Sequence, residues 1–153
     1  MKLLLKAAKI IDKCSSYHLQ TKDILIEKGI ITKIEDSIQE KNCEIIQLDD
    51  LHISQGWFDS SVCFGEPGFE ERETIDHGLQ VAAKSGFTAV AVNANTNPVA
   101  DNKAVIELMI NKAQHSATNL FPIGAFTKGM NGEDMAELYD MQNSGAIAFG
   151  DYN

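Results

Sequence analysis

From residue 53 onward the chain alternates strand-like apolar runs with helix-like stretches, and this alternation limits its fold more than any other feature. Ile53–Val62, Phe87–Val92, Leu120–Phe126 and Ala146–Phe149 read as strands. Phe87–Val92 is continuously apolar, as expected of a strand covered on both faces. Thr74–Lys84 places Ile75, Leu79, Val81, Ala82 and Ala83 mostly on one helical face, with Gly86 just past its end. Asp101 or Asn102 can cap a second helix that buries Ala104, Val105, Leu108, Met109 and Ala113. Asn131 can cap a third, with Met135, Ala136, Leu138, Tyr139 and Met141 apolar and Gly145 at its end. Trp57, Thr88, Phe121 and Ala146 mark a period of roughly 30 residues, and such β-α units join parallel strands through right-handed crossovers. The fold class is α/β.

The chain has 153 residues. A complete eight-stranded β/α barrel needs at least about 200. Residues 53–153 are therefore expected to form the first four strands of an incomplete TIM (β/α) barrel. The last residues, Gly150-Asp151-Tyr152-Asn153, fall at a strand's carboxyl end, where β/α folds build their chemistry. The expectation is a fragment, or a half completed in a homo-oligomer, by another partner or by a further chain segment; a self-contained open sheet of four strands is the simpler alternative. Residues 1–52 differ, with short apolar runs and no helical period. Lys2–Ile11, Asp23–Glu27, Ile30–Ile34 and Cys43–Leu48 read as strands, and Glu27-Lys28-Gly29 as a hairpin turn. So small an all-β unit has difficulty burying its own core and is expected to pack on something else.

Charge and cysteine content narrow the function. With 13 Lys and Arg against 22 Asp and Glu, the formal net charge is −9. No basic run is present, which argues against nucleic acid or an anionic membrane as partner. Arg72 is the single arginine, so a site gripping carboxylate or phosphate with several guanidinium forks cannot be built from this chain alone. Cys14, Cys43 and Cys63 are odd in number and unpaired in spacing, which suits reduced thiols in the cytoplasm. Leu3-Leu4-Leu5 is too short for the apolar core of a signal peptide. No two of His18, His52, His77 and His115 have chelating spacing.

The segment from Gly56 to Gly68 closes the first barrel strand and enters a turn. It resembles the first-strand motif of the dihydroorotase family of the amidohydrolase superfamily, roughly Gly-Phe-Val-Asp-x-His-x-His-Leu-Arg-Glu-Pro-Gly. The frame matches at Gly56, Asp59, Glu66, Pro67 and Gly68. Asn95-Thr96-Asn97-Pro98 matches the family's Met-Pro-Asn-Thr-x-Pro and puts Asn95 on its substrate-binding asparagine. Gly86-Phe87-Thr88 matches Gly-Gly-Phe-Thr, with Ser85 at the first glycine. The stretch from Thr127-Lys128-Gly129 to Gly145–Phe149 matches the run that leads to Phe-Ser-Asp-Asp-Gly. The resemblance covers essentially the whole chain. It implies that residues 1–52 belong to the small composite β-sandwich domain these enzymes carry beside the barrel.

The departures fall on the chemistry. The resemblance implies a zinc site whose first two ligands are the His-x-His pair; those positions hold Ser61 and Cys63. Side chains at i and i+2 of a strand share a face, which is why such a pair can chelate. A serine hydroxyl is a weak zinc ligand, and a lone cysteine is one ligand of the three or more required. The family's carboxylate-binding arginine is replaced by Gly65, and Arg72 does not match that position. Of the two acids expected after the fourth strand, Asp151 remains and Tyr152 stands for the other. Asp151 and Cys63 are the remaining candidate metal ligands. The resemblance implies that intact members hydrolyse dihydroorotate with a zinc-activated water and, in the reverse direction, close N-carbamoyl-aspartate with release of that water. This chain is expected to be a catalytically inactive relative, binding no zinc, that serves pyrimidine biosynthesis as a structural or regulatory partner of aspartate transcarbamoylase. The alternatives are a working cyclic amidohydrolase with an altered metal site and an autonomous α/β binding module. Several residues also have plain structural readings: Asp59 can bond the turn that follows it, and Asn-x-Asn-Pro is itself a good turn sequence.

Overall fold

The computed structural model describes Met1–Tyr152, and the chain divides into two compact units, Met1–Gln55 and Gly56–Asn153. In the first unit, β1 (Lys2–Ile11) pairs antiparallel with β2 (Thr21–Glu27), which pairs with β3 (Ile30–Glu35) across the Lys28-Gly29 turn. Two short strands lie along the other side of β1, both parallel to it: β4 (Glu44–Ile46) beside Leu3–Leu5 and β5 (His52–Ser54) beside Lys9–Ile11. All five strands belong to one sheet, not to two stacked sheets.

A bulge in β1 lets this small sheet bury side chains on both faces. The register with β2 shifts between Leu5 and Ala8, and Ala7 takes a φ of 51°. Asp23, buried, holds the bulge: it accepts from the Ala7 amide (2.9 Å), the Ile38 amide (2.9 Å) and the Lys6 ammonium. Before the bulge Leu4 packs with Leu25 and Ile38; after it Ala8 and Ile10 pack with Ile24. Adjacent residues of a strand point to opposite faces, so Leu25 and Ile24 mark the two sides.

The second unit is a parallel sheet in the order β6 (Trp57–Val62), β7 (Phe87–Val92), β8 (Asn119–Gly124), β9 (Ala148–Phe149). Helix α1 (Ile75–Lys84) joins β6 to β7 and α2 (Lys103–Lys112) joins β7 to β8. Thr74 caps α1 by accepting from the His77 amide, and Asn102 caps α2 by accepting from the Ala104 and Val105 amides. Ile75, Leu79, Val92, Ile106, Met109 and Met141 are fully buried between helices and sheet.

Two expectations need correction. The first barrel strand begins at Trp57, and the units part between Gln55 and Gly56 instead of after residue 52, because His52–Ser54 pairs with β1. The third helix, α3, is only Leu138–Asn143. The segment ahead of it is a short 3-10 turn at Lys128–Met130, with Gly129 at a φ of 60°. The Gly129 amide donates to Asp101 and the Gly132 amide to Thr127 Oγ1, and these bonds hold the segment out of a helix. Among the described residues no helix is long and apolar enough to cross a membrane.

Candidate functional site

The matched motif positions gather at the carboxyl ends of β6, β7 and β9. Asp59 in β6 accepts from the Ser61 amide at 3.0 Å, so its carboxylate serves the strand's own turn. Ser61 and Cys63 are both exposed and flank Val62. The residue opposite them is Asn93, which directly follows β7 and is 6% exposed. Its backbone amide donates to Val62 O at 2.9 Å, and its side-chain Nδ2 donates to Ser61 Oγ at 3.0 Å and to Cys63 Sγ at 3.4 Å. The neighbouring Cys63 sulfur raises the Tyr152 phenol above its ordinary pKa of 10.0.

Asp151 is engaged elsewhere. Oδ1 accepts from the amides of Phe126 (2.9 Å) and Thr127 (3.0 Å), and Oδ2 from the Thr127 hydroxyl (2.6 Å). The Thr127 hydroxyl first, then the two backbone amides, hold its carboxyl below the ordinary 3.8. Asp151 thereby ties the end of β9 to the loop after β8.

The turn after β6 is closed by backbone. Gly65 N donates to Glu73 O and Gly65 O accepts from Phe69 N, each at 2.9 Å. A Cβ at Gly65 would run into the Phe69 carbonyl oxygen and lie 3.2 Å from Arg72 Cβ. The position matching the family's arginine therefore has no room for a side chain. Arg72 stacks on Phe69, its Cζ 4.3 Å from the ring centroid. Glu66 and Gly68 have structural work in the same turn. Buried Glu66 accepts from the Ile75 amide at 2.8 Å, at the start of α1, and pairs with Lys112 at the end of α2 at 2.7 Å. Gly68 has a φ of +95°, and a Cβ there would strike the Asn97 carbonyl. Asn95, in the loop after β7, has a buried Oδ1 with no hydrogen-bond partner.

The donor set does not fit a zinc ion. Among the described residues no three His, Cys, Asp or Glu side chains converge. At positions 61 and 63 an amide N–H points at the two remaining heteroatoms, where a cation would need lone pairs. The histidines are committed elsewhere or remote. The His18 ring accepts from Asp12 N, the His52 ring contacts Asp50 O, and the His77 ring contacts Glu73. His115 lies in the turn after α2, not on the helix.

Sequence reasoning singled out Ser61, Cys63, Gly65, Asn95 and Asp151, and Asn93, which bonds Ser61 and Cys63, was not among them. The available signal was its place in the frame: Asn93 stands two residues before Asn95, at the methionine of Met-Pro-Asn-Thr.

A four-stranded parallel β/α sheet, with a turn motif at its carboxyl edge and a five-stranded sheet ahead of it in sequence, defines the class of protein. Within that class, the chain belongs to the Dihydro-orotase-like family, whose model matches residues 52–153. It is 41% identical over 152 residues to a dihydroorotase of Ruminiclostridium cellulolyticum and 40% identical over 151 to one of Pelotomaculum thermopropionicum. These alignments take in 99% of this chain but 35% of either relative, so the chain spans about a third of their length. The L-hydantoinase of Arthrobacter aurescens superposes on 96% of the chain with a TM-score of 0.77 at 18% identity, over 32% of the hydantoinase. A crystal structure of a dihydroorotase superposes on 97% with a TM-score of 0.66 at 14% identity, over 41% of that chain. Both structural likenesses speak to the fold.

Proposed function

We propose that this chain is a dihydroorotase-like module of pyrimidine biosynthesis retained for its fold and not for its chemistry. In this reading its four β/α strands correspond to the first half of a TIM barrel and residues 1–55 to the family's small β domain. It works in the cytoplasm as a structural or regulatory partner of aspartate transcarbamoylase.

One observation carries the reading. Within the turn from Gly56 to Gly68, Glu66 and Gly68 have packing roles, while Ser61, Cys63 and Gly65 occupy the positions where the family places metal and substrate ligands. Selection that kept the turn and released the chemistry leaves that pattern. Support for a partner comes from the sheet edges. Trp57 (59% exposed) and Phe58 (53%) lie on edge strand β6, and Ile147 (53%) precedes the opposite edge strand β9. Open parallel edges carrying apolar side chains call for cover.

The test has two arms. The purified chain, with zinc supplied, is assayed for dihydroorotate hydrolysis, and tagged chain is co-purified with aspartate transcarbamoylase. The reading expects no turnover and a stable complex. Turnover abolished by Cys63→Ala would favour a working amidohydrolase. A chain that stays separate from the transcarbamoylase would remove the partnership.

A further inference from the structure

Beyond the Val62–Val92 ladder pair, Asn93 joins the carboxyl ends of β6 and β7. Asn93 makes three hydrogen bonds to three successive positions of the facing chain: its backbone amide to Val62 O, and its side-chain nitrogen to Ser61 Oγ and Cys63 Sγ. The geometry follows from strand periodicity. Residues 61 and 63 present their side chains to one side, two residues apart, so a single group set between them reaches both. An amide NH2 carries two protons, one for each acceptor. Asn93 is buried, whereas Ser61 and Cys63 are exposed, so the amide approaches them from the protein side.

We propose that Asn93 takes the place of a cation here: its amide cross-ties β6 to β7 through Ser61 and Cys63, and a metal ion is excluded from that spot. A cation between residues 61 and 63 would cross-link the strand ends by accepting lone pairs. The Asn93 amide cross-links them by donating protons, and the two arrangements are mutually exclusive because N–H groups facing the ligand atoms repel a cation. The site is thus rebuilt as a joint and not merely stripped of ligands. The closed backbone at Gly65 is a second sign of rebuilding in the same turn. The inference rests on the reading of this chain as a module without catalytic metal, but it assigns a job to a residue which that reading leaves unused.

The experiment is side-chain amide exchange by NMR on the 15N-labelled full chain. The Asn93 NH2 protons should exchange about tenfold or more slowly than those of exposed Asn42, because both are bonded and the residue is buried. In the Ser61→Ala/Cys63→Ala double variant the Asn93 rate should rise toward that of Asn42. Excess zinc should leave the Asn93 resonances unmoved, and zinc taken up at exposed Cys14 would not disturb them. Fast exchange in the unmodified chain overturns the proposal without any variant having to fold, and so does a zinc-induced shift of the Asn93 amide. Zinc-dependent dihydroorotate turnover with this amide still protected would instead refute the silent-module reading and leave the cross-tie standing.

Discussion

Glu66 is the motif residue whose retention the structure explains most directly, and Glu66→Ala tests that explanation. Its carboxylate is buried, with one oxygen on the amide of Ile75 at 2.8 Å and the other on Lys112 at 2.7 Å. Ile75 is itself fully buried, so truncation leaves its N–H with no replacement from water. A hydrogen bond to a charged group is worth about 1.5–3 kcal/mol net, and an anion at a helix N-terminus adds about 0.3–1 kcal/mol. The Lys112 side chain is about half exposed and regains water, so its share is left out. The expected loss is about 2–4 kcal/mol, which lowers the melting temperature of a unit the size of Gly56–Asn153 by about 10 °C or more. Trp57 is the one tryptophan of the chain and sits in β6, edge-on to Phe87 at 5.6 Å, so its fluorescence follows this unit through a thermal melt. Glu66→Gln keeps an acceptor for the Ile75 amide and should lose about half as much. A Glu66→Ala protein within about 0.5 kcal/mol of the parent would refute the reasoning that this glutamate was kept for packing.

Three other expectations follow from the same geometry. Burial works to raise the Asp23 pKa, but the Lys6 ammonium and the Ala7 and Ile38 amides outweigh it, so the folded value lies below 3.8. Its stabilising effect is therefore complete above the unfolded value and is lost as pH falls through the folded one, so the protection of the Ala7 amide relative to its intrinsic exchange rate should fall below about pH 4; unchanged protection through that range would contradict the bulge account. Gly65→Ala should cost about 1–3 kcal/mol by collision with the Phe69 carbonyl, read in the Trp57 melt, and an unaltered melt would show the turn to be loose. Asn95→Ala removes a buried acceptor that has no partner, so its stability should stay within about 0.5 kcal/mol of the parent or rise; a clear loss would reveal a bond partner for Asn95.

Much of this molecule was legible because its signals are local. The apolar runs of β1 to β3, the Lys28-Gly29 turn and the cap at Asn102 each lie within about a dozen residues, the range over which local pattern and capping act, whereas the buried face of α2 was misjudged: Ala104 and Leu108 are exposed and Ile106 is fully buried. The strand boundary was misplaced because Ile53–Val62 was read as one strand across Ser54-Gln55-Gly56, where the pairing partners change from β1 for β5 to β7 for β6. The third helix was overextended for a similar reason. Asn131 is a good cap in isolation, but the Gly129 and Gly132 amides, donating to Asp101 and to Thr127 Oγ1, hold that segment in a turn. At the site, the motif frame pointed to Ser61, Cys63 and Gly65 by what they lack. What replaced the lost groups was not legible. Asn93 acts across strands, as do Asp151 on Thr127 and Lys112 on Glu66, and no spacing rule within one segment reports such pairs.

The central claim is that the rebuilt edge of this sheet holds no catalytic metal, and metal content tests it most directly. The full chain would be purified without chelator, incubated with zinc, desalted and measured by elemental mass spectrometry beside the Cys63→Ala variant. The account predicts no retained zinc above background in either protein. Near-stoichiometric zinc in the parent chain, lost in Cys63→Ala, would contradict it and return the chain to the working amidohydrolases.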